Sequence, residues 1–132
     1  MKEMVVVDTN IVSDLFKGDR SVAETLSSCS VVYLSAIVIG ELLYGFAKCN
    51  RESKNRTMLD TFIGKPNVRL LDCTAAIAER YARIRKKLSD AGTLIPTNDT
   101  WIAAQAIEAG AAVYSRDAHF SQVQGLEVRI PS

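Results

Sequence analysis

Histidine is almost missing from this 132-residue chain: His119 is the only one. That excludes a histidine-rich metal centre and leaves a serine or cysteine triad without a placed base. Cysteine is scarce too, with Cys29, Cys49 and Cys73 odd in number and widely spaced. No Cys-x-x-Cys pair is present, so a zinc site is not expected, and free thiols in a reducing compartment are. Three prolines and seven glycines are too few for a collagen-like or low-complexity chain. No apolar run approaches the ~18 residues of a membrane span. The opening Met1-Lys2-Glu3-Met4-Val5-Val6-Val7-Asp8 has too short an apolar block for a signal peptide. A soluble, cytoplasmic protein without a membrane partner is expected. Phosphate loops of the Gly-x-x-x-x-Gly-Lys type, Gly-x-Gly-x-x-Gly and Gly-x-Ser-x-Gly are also missing.

What is present is a composition of 48% hydrophobic and 23% charged residues. This excludes disorder, and the length is that of one domain spanning residues 1–132, able to bury roughly two-thirds of its unfolded surface. The net charge of +1 hides an uneven layout. Residues 48–87 hold eleven basic and four acidic residues, whereas both flanks carry an excess of acid. A polyanion on one face beside a carboxylate-rich site suits that pattern.

Short apolar runs alternate with amphipathic stretches. Met4–Val7, Val31–Leu34, Val68–Leu71 and Ala112–Ser115 read as strands, and the alternation Leu126, Val128, Ile130 predicts a fifth at the sheet edge. A helix begins at Asp8-Thr9-Asn10 and ends at Gly18, and a short one covers Val22 to Ser27. Ser35 is the predicted N-cap of a helix with Ile37, Val38, Leu42, Leu43 and Phe46 on its apolar stripe. The polar stretch Lys48–Arg56 leads into a helix carrying Met58, Leu59, Phe62 and Ile63. A long helix through Ile77, Tyr81, Ile84 and Leu88 ends near Gly92, and Thr97-Asn98 caps another that stops at Gly110. Strands alternating with helices imply a parallel sheet covered on both faces.

Functional groups of such sheets gather beyond the carboxyl ends of the strands. Asp8 follows the first strand, and Asp117 lies two residues past Ser115. Glu41 interrupts an apolar series with no basic residue three or four positions away, and Asp99 shares a stripe with Ile102, Ala103, Ala106 and Ile107. Each has a plain alternative: a helix cap for Asp8, a solvated loop for Asp117, an outward face for Glu41, a first-turn acid for Asp99. Were the four to converge, they would repel unless a cation lay between them, and hard oxygen donors select Mg²⁺ or Mn²⁺. Such a cation activates water for attack on phosphorus, so phosphodiester hydrolysis is the expected reaction.

Val5-Val6-Val7-Asp8-Thr9-Asn10, Ser35-Ala36-Ile37-Val38-Ile39-Gly40-Glu41-Leu42-Leu43-Tyr44-Gly45, Asn98-Asp99-Thr100-Trp101-Ile102-Ala103-Ala104 and Ser115-Arg116-Asp117 resemble the four motif regions of PIN-domain ribonucleases. Their order and spacing across essentially the whole chain resemble the VapC type, the toxin half of a toxin–antitoxin pair. The resemblance implies a three-layer α/β/α sandwich with a mainly parallel sheet of four to five strands. It also implies an Mg²⁺- or Mn²⁺-dependent endoribonuclease. Asp8, Glu41 and Asp99 match its catalytic, metal-binding acids, and Asp117 matches a fourth, more variable position. Thr9 matches a small hydroxyl residue that holds a carboxylate or water. A VapB-like antitoxin, a homodimer, and operator DNA reached only through the antitoxin are implied as well.

Lys48 and Arg51, with Lys54 and Arg56, flank the expected cleft as RNA contacts, and Arg116 is grouped with them. The cations Arg80, Arg83, Arg85, Lys86 and Lys87 on a helix read first as a solvated face, with guidance of RNA as the alternative. Tyr44 and Trp101 fit base stacking or core packing equally, and His119 reads as an exposed loop histidine. Two other functions compete. One is a non-catalytic PIN-like module that binds RNA or an antitoxin. The other is an aspartate-based phosphatase or receiver, which would need a second acid near Asp8 where this chain has Thr9 and Asn10.

Overall fold

A computed structural model describes residues 3–132; the first two positions of the opening segment lie outside it. Among these residues five strands form one sheet: β1 (Met4–Val7), β2 (Val31–Ser35), β3 (Val68–Leu71), β4 (Ala112–Tyr114) and β5 (Val128–Arg129). Their order is β3-β2-β1-β4-β5, and every neighbouring pair is parallel. Val5, Val6 and Val7 of the central strand are fully buried, which is why β1 shows no polar alternation: helices cover both of its faces. At the edge, β3 leaves Arg69 and Leu70 exposed.

Among the described residues six helices flank the sheet: α1 (Thr9–Phe16), α2 (Arg20–Ser28), α3 (Ala36–Ala47), α4 (Glu52–Ile63), α5 (Ala75–Asp90) and α6 (Thr97–Ala109). The result is an α/β/α sandwich. Phe16 of α1 meets Phe46 of α3 and Phe62 of α4 at ring-centroid distances of 6.5 and 6.4 Å. That cluster fixes the helix that starts immediately after Asp8. α5 packs along α6, with Trp101 stacked on Tyr81 at 4.0 Å and 16°. Among the described residues, no helix is long and apolar enough to cross a membrane.

Several boundaries differ from those expected. α4 starts at Glu52, so most of the polar lead-in is helical; once Leu59 and Phe62 are buried, helix propagates backward through Lys54 and Arg56, which favour it. α2 starts at Arg20 because Asp19 caps it, accepting from the Val22 amide at 3.1 Å. α6 begins at Thr97 itself, with Pro96 at the N-cap and no side-chain cap. The Pro96 carbonyl accepts from the Thr100 amide and hydroxyl, at 3.1 and 3.2 Å, and the Asn98 amide is left for another partner. The fifth strand pairs over two residues only, and Ile130 is exposed. Between β4 and β5 the chain makes an unanticipated 3₁₀ turn, Ala118–Gln122, seated by the buried Phe120.

Candidate active site

β1 lies between β2 and β4, and the chain reaches these two neighbours by connections that depart to opposite sides. The crevice at the carboxyl ends of β1 and β4 is therefore the topological switch point of the sheet, where open parallel sheets bind ligands. Asp8 leaves β1 there, and Ser115 and Asp117 leave β4 there.

Asp8 both caps a helix and faces the crevice. Its Oδ1 accepts from the Thr9 amide at 2.8 Å, and its Oδ2 accepts from the Ser115 hydroxyl at 2.7 Å and the Asn10 amide at 3.3 Å. The residue is 5% exposed. Glu41, on α3, is half-buried and partnered across elements. The Thr9 hydroxyl donates to its Oε1 at 2.7 Å, and the Asn98 side-chain amide to its Oε2 at 3.4 Å. Glu41 is thus neither on an outward face nor buried without a partner. Asp99, in the first turn of α6, is 9% exposed, and its Oδ2 stands 3.2 Å from His119 Nδ1. Asp117 caps the 3₁₀ turn, accepting from the His119 amide at 3.0 Å, and its Oδ1 lies 2.9 Å from His119 Nδ1. Its own amide donates to the Ser115 hydroxyl at 2.9 Å, so Ser115 links Asp8 to Asp117.

The charges of neighbouring carboxylates are felt at Asp8 and Asp99. Burial pushes Asp8 above the usual carboxylate range against the bonds from Ser115 and Thr9, and the charges of Glu41 and Asp117 add to the rise. Burial pushes Asp99 up to about 6; the His119 bond opposes this, while Asp8 and Asp117 reinforce it. The bond to Asp99 holds His119 above its ordinary value, with help from Asp117. Among the described residues, no lysine or arginine lies within 4.0 Å of these four acids; His119 is their one basic partner. Oxygen donors in excess of the available positive charge fit a divalent cation, and the ligand atoms of Asp99, Asp117 and His119 lie within 4.8 Å of one another.

The structure brings Asp8, Thr9, Glu41, Asp99 and Asp117 together. Arg51 and Lys54 line an open cleft of about 680 Å³ with Thr9 and Glu41. Lys48 instead sits over the exposed Tyr44 ring, 4.4 Å from its centroid. The Arg116 guanidinium is held by Asp14 and Asp19, at 2.6 and 3.3 Å, rather than by the carboxylate cluster. The α5 cations are largely occupied: Arg80 with Glu108, Lys86 with Asp90, and Arg85 with the Ile95 carbonyl. Trp101 is taken up by Tyr81. His119 is exposed as expected, its side chain 49% exposed, and the structure adds that its ring is pinned between two carboxylates. Ser115, Asn98 and Asn10 had no role at the site assigned from sequence. Their only signal was standing one or two positions from a motif acid.

Residues 5–126 match the PIN domain. The chain is 34% identical to Ribonuclease VapC1 of Rickettsia felis over 127 residues, which cover 94% of this chain and 93% of that one. It is 30% identical to Ribonuclease VapC2 of the same organism over 94 residues, 71% of this chain and 69% of that one. Its fold superposes on the crystal structure of VapBC2 from Rickettsia felis bound to a DNA fragment from their promoter, with a TM-score of 0.89 and 26% identity over 98% and 99% of the two chains.

Proposed function

The chain belongs to the PIN-domain family, and we propose that it acts as a divalent-metal-dependent endoribonuclease, the toxin of a type II toxin–antitoxin pair. One observation carries this reading. Asp8, Glu41, Asp99 and Asp117 come from four separate parts of the chain and gather at the switch point of the sheet, with no lysine or arginine among the described residues within 4.0 Å of them.

Asp8, Glu41, Asp99 and Asp117 would hold the cation, which we take to be Mg²⁺ or Mn²⁺. When bound, such a cation makes water acidic enough to attack phosphorus at neutral pH and offsets charge on the phosphodiester. The chain's own residues supply orientation. Thr9 ties Asp8 to Glu41, donating its amide to one carboxylate and its hydroxyl to the other. Ser115 aims Asp8 Oδ2, and Asn98 steadies Glu41. These bonds hold the oxygens in place before substrate arrives, so less reorganisation is left for the reaction itself. Arg51 and Lys54, in the cleft beside Glu41, meet the phosphates of the RNA.

The promoter-bound VapBC2 complex supports a VapB-like antitoxin as partner; operator DNA reached through that antitoxin and a homodimer as the assembled toxin complete the proposal. Free thiols at Cys29, Cys49 and Cys73 and an RNA substrate support action in the cytoplasm, with residues 1–132 working as one domain.

The test is RNA cleavage by purified protein with Mg²⁺ or Mn²⁺. Asp8→Asn is expected to lower the rate about a hundred- to a thousandfold while the circular dichroism spectrum stays that of the parent. Undiminished cleavage by Asp8→Asn would overturn the assignment. Cation binding without cleavage of any RNA would favour the non-catalytic module, and release of phosphate from small phosphomonoesters with RNA untouched would favour the phosphatase.

A further inference from the structure

We propose that His119 is a nitrogen ligand of the cation site, and that it gives the site a preference for a first-row transition ion such as Mn²⁺ over Mg²⁺. The inference rests on the reading of the carboxylates as a cation site and names which cation they take.

Geometry comes first. His119 Nδ1 stands 2.9 Å from Asp117 Oδ1 and 3.2 Å from Asp99 Oδ2. Two donors bound at right angles to one cation, each at about 2.0–2.2 Å, stand about 3 Å apart. The same spacing to a single oxygen would describe an ordinary hydrogen bond. One ring nitrogen, however, carries one proton or one lone pair, and a single proton cannot point straight at two carboxylates on different elements. A cation shared by all three donors satisfies each of them.

The placement is also built rather than incidental. The His119 amide is bound to Asp117 and the next residue, Phe120, is fully buried, so the 3₁₀ turn sets where the ring emerges. Among the described residues, the ring hydrogen-bonds to nothing except these two acids. With Nδ1 given to the cation, Nε2 would carry the proton.

Donor chemistry then decides the ion. Mg²⁺ takes oxygen ligands and gives up its waters reluctantly, whereas affinity for an imidazole nitrogen rises along the first-row transition ions. Exchanging one oxygen donor for nitrogen weakens the claim of Mg²⁺ more than that of Mn²⁺.

The experiment is Mn²⁺ titration of the metal-free full chain, followed by electron paramagnetic resonance, with pulsed spectra read for ¹⁴N modulation and Mg²⁺ added as competitor. Wild type is expected to show imidazole ¹⁴N modulation and to resist displacement by Mg²⁺. His119→Ala should lose the modulation and bind Mn²⁺ at least about tenfold more weakly, with a smaller change for Mg²⁺. His119→Asp, which puts an oxygen donor in the ring's place, should bind Mn²⁺ without modulation and yield it to Mg²⁺ more readily. If wild type binds Mn²⁺ without ¹⁴N modulation, the role of His119 falls while the cation site stands. If wild type binds neither ion, the cation reading itself falls and takes this inference with it. The wild-type spectrum decides even where a variant does not fold.

Discussion

Asp99 serves two opposed demands, because the burial that fixes its position also resists its charge. Its carboxyl titrates at about 6 rather than the ordinary 3.8. Folding therefore favours the protonated form, and that stabilisation is present below about pH 4 and lost as the pH rises through 6. His119 loses its own charge as the pH rises through and above its raised value, so their pairing offers little relief in alkaline solution. Without added cation, Asp99→Asn should melt at a higher temperature than the parent at pH 8, and the gain should close as the pH falls to 4. Equal melting temperatures throughout would show that the carboxyl is not strained by burial. At this scale the sequence was informative about residue types and silent about partners. An acid inside the apolar series around Glu41 is legible because unpaired burial costs several kcal/mol. That its partners are Thr9 and Asn98, 32 and 57 positions away, is not. His119 is exposed as expected, but local sequence reports only the turn and not the two carboxylates that turn faces.

Helix ends were read well where backbone geometry alone decides them. Gly18, Gly92 and Gly110 all have positive φ, as a stop signal requires, and Ser35 caps α3 through the Ile37 amide at 3.0 Å. At Gly110 the backbone sits at φ 68°, and an added Cβ would meet nothing within 4 Å. Gly110→Ala should therefore cost conformational strain alone, about 1 kcal/mol or a fall in melting temperature of about 3–6 °C. Cation affinity should be unchanged, because Asp99 lies at the other end of α6. A drop much larger than this in the thermal melt would mean that the glycine fills a packing role. Starts were read less well. α4 extends back to Glu52 because tertiary burial of Leu59 and Phe62 recruits the polar turn before them. α6 starts from a Pro96 carbonyl, a main-chain cap that no side chain announces.

For the molecule as a whole, the separation of charge along the chain becomes a separation in space, with acids at the switch point and cations beside them. Arg51 and Lys54 are the basic residues of the middle segment that line the cleft next to Glu41. Replacing both with alanine should raise KM for RNA with little change in kcat, since phosphate contacts act on ground and transition state alike. It should also flatten the logarithmic salt dependence of binding by about 1–2. A collapse of kcat at unchanged KM would instead place them against the reacting phosphate. The Arg116 guanidinium, tied to Asp14 and Asp19, should contribute little to that slope.

Alternation of apolar runs and amphipathic stretches determined, without coordinates, a parallel sheet between two helical layers, because side-chain period and helix punctuation are local properties of a chain. The four acids and their place after strands or within helices were equally local. Only the tertiary structure decided the strand order β3-β2-β1-β4-β5, and with it the crevice in which those acids meet. It alone joined Thr9 to Glu41, Ser115 to Asp8, and His119 to Asp99 and Asp117. Hydrogen bonds and Coulomb forces act across a few ångströms of space whatever the distance along the chain, so these partners exist only once the sheet has brought its strand ends together.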